Sequence, residues 1–266
     1  MNILFAFLII AVLGLLLGLA LAFAAEKFAV EKDEKAEQIL EILPGANCGA
    51  CGYPGCSGYA SALSKREAPN GLCSPGGPKT SALVATILGI EDEGVGERMV
   101  AYVHCRGNNE LTQRNFKYDG IEECSGAYML FKGESSCKYG CLHLGSCIQV
   151  CPTDAIYRDE KGNVTVEPDK CIGCRKCTLV CPTNVIKMIP ARGSHAIACN
   201  SFDSGAFVRK VCEVGCIGCK ICERKFPDSG CVVENFLATI DYSRPMTQIA
   251  DAAEACPTKC IVVARQ

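Results

Sequence analysis

The run Cys171-x2-Cys174-x2-Cys177-x3-Cys181-Pro182 limits what this chain can fold into more than any other feature. Three thiols on one tight loop, and a fourth closed off by proline, can wrap a small inorganic core. Disulfide frameworks spread their cysteines more widely. Related groups recur along the chain: Cys48-x2-Cys51-x4-Cys56 with Cys73, then Cys137-x3-Cys141-x5-Cys147-x3-Cys151-Pro152, then Cys216-x2-Cys219-x2-Cys222. These spacings read as iron–sulfur ligands, and several such groups in one chain read as an electron wire. Zinc is the competing reading, strongest for Cys48–Cys73, because four cysteines also suit a tetrahedral zinc site.

The 266 residues hold 22 cysteines and no tryptophan. Small modules built round metal clusters need few aromatic rings, so more than two modules fit this length. A formal net charge of −2 argues against nucleic-acid binding. There is no dinucleotide-binding glycine motif, no P-loop and no nucleophile elbow, so no catalytic residue and no NAD site are expected.

Residues 1–25 carry no charge. As a helix, residues 3–25 would be about 34 Å long, enough to cross a bilayer. Ala22-Phe23-Ala24-Ala25 has the small residues of a signal-peptide cleavage site, but a basic leader is missing and the apolar run is long. The expectation is an uncleaved single-pass anchor. Thiol-ligated clusters belong in a reducing compartment, so the bulk of the chain should face the cytoplasm from the inner (cytoplasmic) membrane. Lys27, Lys32 and Lys35 follow the anchor among acidic residues, which gives weak positive-inside support. The anchor carries no ionisable side chain, so it supplies no ion relay.

Helical spacing at Ala36, Ile39, Leu40 and Leu43 predicts an amphipathic helix from Lys27 to Leu43, stopped by Pro44-Gly45. In the Cys48–Cys73 group, Gly49, Gly52 and Gly55 should leave amides free to approach sulfur. Tyr59–Lys65 and Ser81–Ile90 read as helices and Val100–Val103 as a strand. Ala155–Arg158 and Asn163–Glu167 read as strands turning at Lys161-Gly162.

In two-cluster ferredoxins the cysteine before proline serves the other cluster. That rule groups Cys137, Cys141, Cys147 and Cys181 in one quartet, and Cys171, Cys174, Cys177 and Cys151 in the second. A shift of 75 residues carries the first quartet onto Cys212, Cys216, Cys222 and Cys256. It carries the second onto Phe226, Met246, Ile249 and Ala252. Four ligands have become apolar together, as a vacated site refilled by packing would require. One cluster is therefore expected in the last module, held by Cys216, Cys222, Cys256 and either Cys219 or Cys212. Cys219 is preferred because it restores the compact triad. Cys105, Cys124, Cys199 and Cys212 leave a further site open, although buried structural thiols are the commoner fate of isolated cysteines. Cys231 and Cys260 read as structural thiols. His143 reads as a group near the ligands or exposed, and Arg175–Lys176 as a solvated pair.

The order of an apolar anchor, Cys48-Gly-Ala-Cys-Gly-Tyr-Pro-Gly-Cys56 with Cys73-Ser-Pro-Gly-Gly, and then ferredoxin runs resembles the RnfB family of the Rnf complex, the ion-translocating ferredoxin:NAD oxidoreductase of bacterial membranes. The resemblance implies electrons accepted from reduced soluble ferredoxin and passed to partner subunits that carry flavins and clusters, coupled to Na+ or H+ movement. Many relatives keep a full ferredoxin pattern where this chain has Phe226, Met246, Ile249 and Ala252. The expected fold is α+β: a transmembrane anchor (1–25), a helical linker (26–43), a single-cluster domain (44–80), a connecting segment (81–132), a two-cluster ferredoxin-like domain (133–190) and a degenerate one-cluster copy (191–266). About four [4Fe-4S] clusters are expected. Electrons should enter at the ferredoxin modules and leave through Cys48–Cys73.

Overall fold

The computed structural model describes residues 2–27, 33–92 and 94–264. α1 (Asn2–Lys27) is apolar along its length, and Leu13, Leu16, Leu17, Leu21 and Phe23 all stand exposed. Among the described residues no helix is long and apolar enough to cross a membrane.

The helix expected from Lys27 to Leu43 starts later. α2 (Glu34–Ile42) is capped by Asp33, whose carboxylate accepts from the Lys35 and Ala36 amides. Such a cap satisfies amides that the first turn leaves open. Lys32 and the rest of the expected first turns lie outside the described residues. α2 buries Ile39 and Leu43 against Tyr59 and Leu63 of α3 (Gly55–Ser64) and Val84 and Leu88 of α4 (Gly77–Leu88). The helix expected at Tyr59–Lys65 thus begins four residues earlier. Residues read as linker and as connecting segment are part of the first domain's core.

β1 (Met99–Val103) pairs antiparallel with a strand far along the chain. α5 (Cys124–Met129) and α6 (Ser146–Gln149) follow, then the hairpin of β2 (Ile156–Arg158) and β3 (Val164–Val166) where the sequence predicts it. α7 (Lys176–Leu179) leads into β4 (Ile186–Pro190), the partner of β1, with Val100 opposite Ile189 and Val103 opposite Ile186. The first and last strands therefore close a module round the hairpin. Its core holds Val103, Ile156, Val164, Val185 and Ile186 together with Cys147, Cys171 and Cys177.

The second module repeats the plan. It runs through β5 (His195–Ile197), α8 (Gly205–Val211), α9 (Ile221–Arg224), the hairpin of β6 (Cys231–Glu234) and β7 (Leu237–Ile240), α10 (Ile249–Ala255) and β8 (Ile261–Val263), which pairs with β5. The 75-residue shift lays α6 on α9 residue for residue. The opening strands obey a different shift. Val103 faces Ile186 and Ile197 faces Ile261, so β1 maps onto β5 with 94 residues between. The extra chain of the first module is an insertion after β1, which carries Cys124 on α5.

Candidate metal centres

In the first domain the loops that carry Cys48, Cys51 and Cys56 meet Cys73. Burial pushes the Cys73 thiol up, the Gly76 amide opposes this, and the nearby Cys56, Cys48 and Cys51 add to the rise. Buried Tyr59 positions the Cys73 loop: its hydroxyl donates to the Pro69 carbonyl at 3.0 Å and accepts from the Leu72 amide at 3.2 Å. The amides of Gly52 and Gly55 are not free, contrary to expectation. They donate to the Gly49 and Tyr53 carbonyls at 2.9 and 2.8 Å. These glycines serve the loop through positive φ, +86° and +83°, which an L side chain adopts only at a cost.

Cys171, Cys174, Cys177 and Cys151 come together as the crossover rule requires. Cys177 is pushed up to about 12 by burial first, then by Cys171, Cys174, Cys147 and Cys151. The Ala101 amide of β1 donates to Cys171 Sγ at 3.4 Å, and the Ala155 amide to Cys151 Sγ at 3.3 Å. Burial raises the Cys151 thiol, but hydrogen bonds from Thr153 and Ala155 outweigh it and hold the group below its ordinary value.

The other ferredoxin quartet differs from the sequence reading. A small cavity is lined by Cys141, Cys147 and Cys181, and by Cys124 in place of Cys137. The Cys124 amide donates to Ser146 Oγ at 2.9 Å, which fixes α5 at the start of α6 beside Cys147. Cys147 is pushed up to about 12 by burial, with Cys124 and Cys181 contributing. The physical reason is a local substitution: Leu144 stands where the last module has Cys219, so the loop lacks its own third thiol and α5 brings one in. Local spacing gives no sign of this, because Cys124 is far from the group it joins.

In the last module a small cavity is lined by Cys216, Cys219, Cys222, Cys256 and Cys260. Cys212 lies elsewhere, so the geometry favours Cys219. Cys260 is the extra thiol. Its counterpart 75 residues earlier is Val185, which lines the equivalent cavity. Cys260 Sγ lies 3.6 Å from Cys256 Sγ. Hydrogen bonding to Cys260 lowers Cys216 to about 6 and Cys256 to about 5, while Cys260 itself is driven far up. Cys260 is thus a buried thiol packed against two of the cysteines that line this cavity. Cys231, counterpart of Ile156, is buried in β6. Phe226, Met246, Ile249 and Ala252 all pack into this module's hydrophobic core.

Cys105, Cys137, Cys199 and Cys212 line a separate cavity between the modules. His143 lines it too, but its ring nitrogens face the Gly107 and Gly162 carbonyls at 2.7 and 3.2 Å. Among the described residues no three His, Cys, Asp or Glu side chains close in to the spacing of a single-ion site.

Comparisons with known proteins find iron–sulfur families over two regions of the chain. Residues 43–75 match the family described as "Putative Fe-S cluster", and residues 137–188 the family described as "4Fe-4S dicluster domain". Three relatives are B subunits of larger complexes. The chain is 37% identical over 253 residues to that of the "Na(+)-translocating ferredoxin:NAD(+) oxidoreductase complex" of Acetobacterium woodii, covering 95% of this chain and 75% of that protein. It is 34% identical to that of the "Ion-translocating oxidoreductase complex" of Methanosarcina acetivorans, covering 95% of each. It is 36% identical to that of the "Proton-translocating ferredoxin:NAD(+) oxidoreductase complex" of Clostridium ljungdahlii, covering 95% of this chain and 88% of that protein.

Proposed function

This chain belongs to the family of B subunits of ion-translocating ferredoxin:NAD oxidoreductase complexes and is an iron–sulfur electron-transfer subunit of such an enzyme; we propose that four of its thiol quartets hold [4Fe-4S] clusters. The quartets are Cys48, Cys51, Cys56 and Cys73; Cys151, Cys171, Cys174 and Cys177; Cys124, Cys141, Cys147 and Cys181; and Cys216, Cys219, Cys222 and Cys256. When bound, such clusters supply one-electron carriers whose potentials follow burial and hydrogen bonds to sulfur. The chain's own residues supply those levers. Amides of Ala101, Ala155, His143 and Ala238 donate to cysteine sulfurs at 3.3–3.4 Å. After each Cys-Pro, Thr153, Thr183 and Thr258 set a hydroxyl 3.6–3.8 Å from the preceding cysteine.

The observation that carries the reading is the adjacency of successive quartets. Cys174 is raised by burial and then by Cys48 of the first domain, and a side chain at Gly173 would come within 3.8 Å of Ser74. Cys177 and Cys147 are neighbours in the same way. The match of residues 43–75 and 137–188 to iron–sulfur families supports a cluster core over zinc.

The exposed apolar surface of α1 supports a single-pass anchor in the cytoplasmic membrane. On this reading the rest of the chain faces the cytoplasm, meets soluble ferredoxin at its ferredoxin modules, and passes electrons through Cys48–Cys73 to membrane partners that carry flavin. The catalytic NAD site lies on another subunit. Anaerobic purification with iron counting, followed by paramagnetic resonance during titration with reduced ferredoxin, tests this. Cluster signals should grow with reductant; mainly zinc, or no signal on reduction, would sink the relay.

A further inference from the structure

The cavity between the two ferredoxin modules is lined by four thiols that belong to none of the quartets above. Two come from each module, at equivalent places. Cys105 follows β1 by two residues and Cys199 follows β5 by two residues, related by the 94-residue shift of the opening strands. Cys137 and Cys212 each precede the first cysteine of a ferredoxin loop by four residues, related by the 75-residue shift. The four positions form two equivalent pairs that line one cavity.

The surroundings are built to hold them there. His104 Nδ1 of the first module lies 2.7 Å from the Ile197 carbonyl of the second. Buried Asn200 of the second donates to the Thr183 carbonyl of the first at 3.2 Å. The inserted segment lies antiparallel to the end of α8: the Gln113 amide donates to the Val211 carbonyl at 2.9 Å and the Glu213 amide to the Leu111 carbonyl at 3.0 Å. Thr112 Oγ1 points to Cys212 Sγ at 3.7 Å, and the Ser201 amide donates to Cys199 Sγ at 3.5 Å.

Three glycines leave the space open. A Cβ at Gly140 would stand 3.6 Å from Cys137 Sγ and 3.7 Å from Cys105 Sγ. One at Gly107 would stand 3.6 Å from Cys212 Sγ and 3.7 Å from Cys105 Sγ, and one at Gly215 would stand 3.5 Å from Cys212 Sγ. Arg114 and Glu134 pair with each other at 2.9 Å, His143 is held by two carbonyls, and Asn200 keeps a buried Oδ1 without a hydrogen-bond partner among the described residues. The four thiols form a sulfur donor set, which selects soft metals and iron–sulfur cores over hard cations.

We propose that Cys105, Cys137, Cys199 and Cys212 hold a fifth [4Fe-4S] cluster, shared between the two ferredoxin modules. The proposal rests on the reading of the chain as an iron–sulfur relay. It gives the site a place in that relay. Cys105 neighbours Cys141 of the first module's inner quartet, and Cys199 neighbours Cys216 of the last quartet. An electron taken from one neighbour and given to the other would pass between the modules with no bond made or broken.

The test is metal and sulfide analysis of the full chain, purified anaerobically and reconstituted with iron and sulfide. Five cubanes require about 20 irons and 20 sulfides, four require about 16. The double variant Cys105→Ser/Cys199→Ser should lose about one fifth of both. Wild-type chain at about 16 irons with the double variant unchanged would overturn the proposal and leave the relay intact. About one zinc in place of four irons at this site would overturn it as well. A chain with no iron at all would instead sink the relay reading itself. If the double variant fails to fold, the wild-type count still decides between five clusters and four.

Discussion

The two ferredoxin modules share one strand order and diverge in what fills it. In the first, Cys151, Cys171, Cys174 and Cys177 come together beside the hairpin. In the second, Phe226, Met246, Ile249 and Ala252 take those positions and join the core. The strand ladders β1–β4 and β5–β8 persist in both. A module of this size therefore keeps its backbone whether a metal core or side chains occupy that half, provided the volume is filled. The inner half shows the reverse trade. The second module carries its whole triad on one loop, whereas the first has Leu144 in place of a thiol and draws Cys124 from its insertion.

The largest effect should come from the half the modules do not share. Cys174→Ala should remove about four irons and slow electron delivery by the assembled complex more than about tenfold, as loss of a ligand costs at least as much as loss of its supporting partners. Iron counting with a ferredoxin-oxidation assay checks both. Next comes the borrowed ligand. Cys124→Ala should deplete the inner cluster of the first module, and adding Leu144→Cys should restore it, because position 144 is the counterpart of Cys219. Iron content and the resonance spectrum of the reduced protein read the rescue; a double variant as depleted as the single one would break the equivalence.

The mirror of Cys174→Ala is Ile249→Ala at the matching position of the second module. Ile249 is 4% exposed, so its truncation should cost about 2–4 kcal/mol, with iron content unchanged. Anaerobic denaturant unfolding beside metal analysis separates the two signatures. The smallest effect lies in the turns before α7 and α9, where Arg175 and Lys220 hold φ of +60° and +59° while Gly145 serves the equivalent turn before α6. Arg175→Gly or Lys220→Gly should raise stability by no more than about 1 kcal/mol, seen as a small shift in the unfolding midpoint.

Much of this is legible in the residues. The Cys-Pro crossover, the hairpin at Lys161-Gly162 and the erased quartet all follow from short spacings and one constant shift. The placement of Cys137 away from Cys141, Cys147 and Cys181 and the placement of Cys124 beside them share a cause. Their partners are set by tertiary pairing, β1 with β4 and the 111–113 segment with 211–213, and no local period encodes such contacts. The glycines near Cys48 mislead for a related reason. Cluster loops do draw on backbone amides, but at Gly52 and Gly55 the chain uses positive φ to turn and spends the amides on carbonyls.

The closing of each module by its first and last strands has a consequence for how the protein is made. The ribosome delivers Cys48 through Cys73 as one local stretch, complete with the helices that pack round it. β1 at residues 99–103 must wait for β4 at residues 186–190, and the cavity between the modules must wait for Cys212. Stalled nascent chains that end before β4 should therefore carry iron only at the first domain, as metal analysis of purified stalled complexes would reveal. Iron loading of the inner centres then follows the arrival of β4, and an interrupted synthesis leaves exposed thiols in place of a half-built conductor.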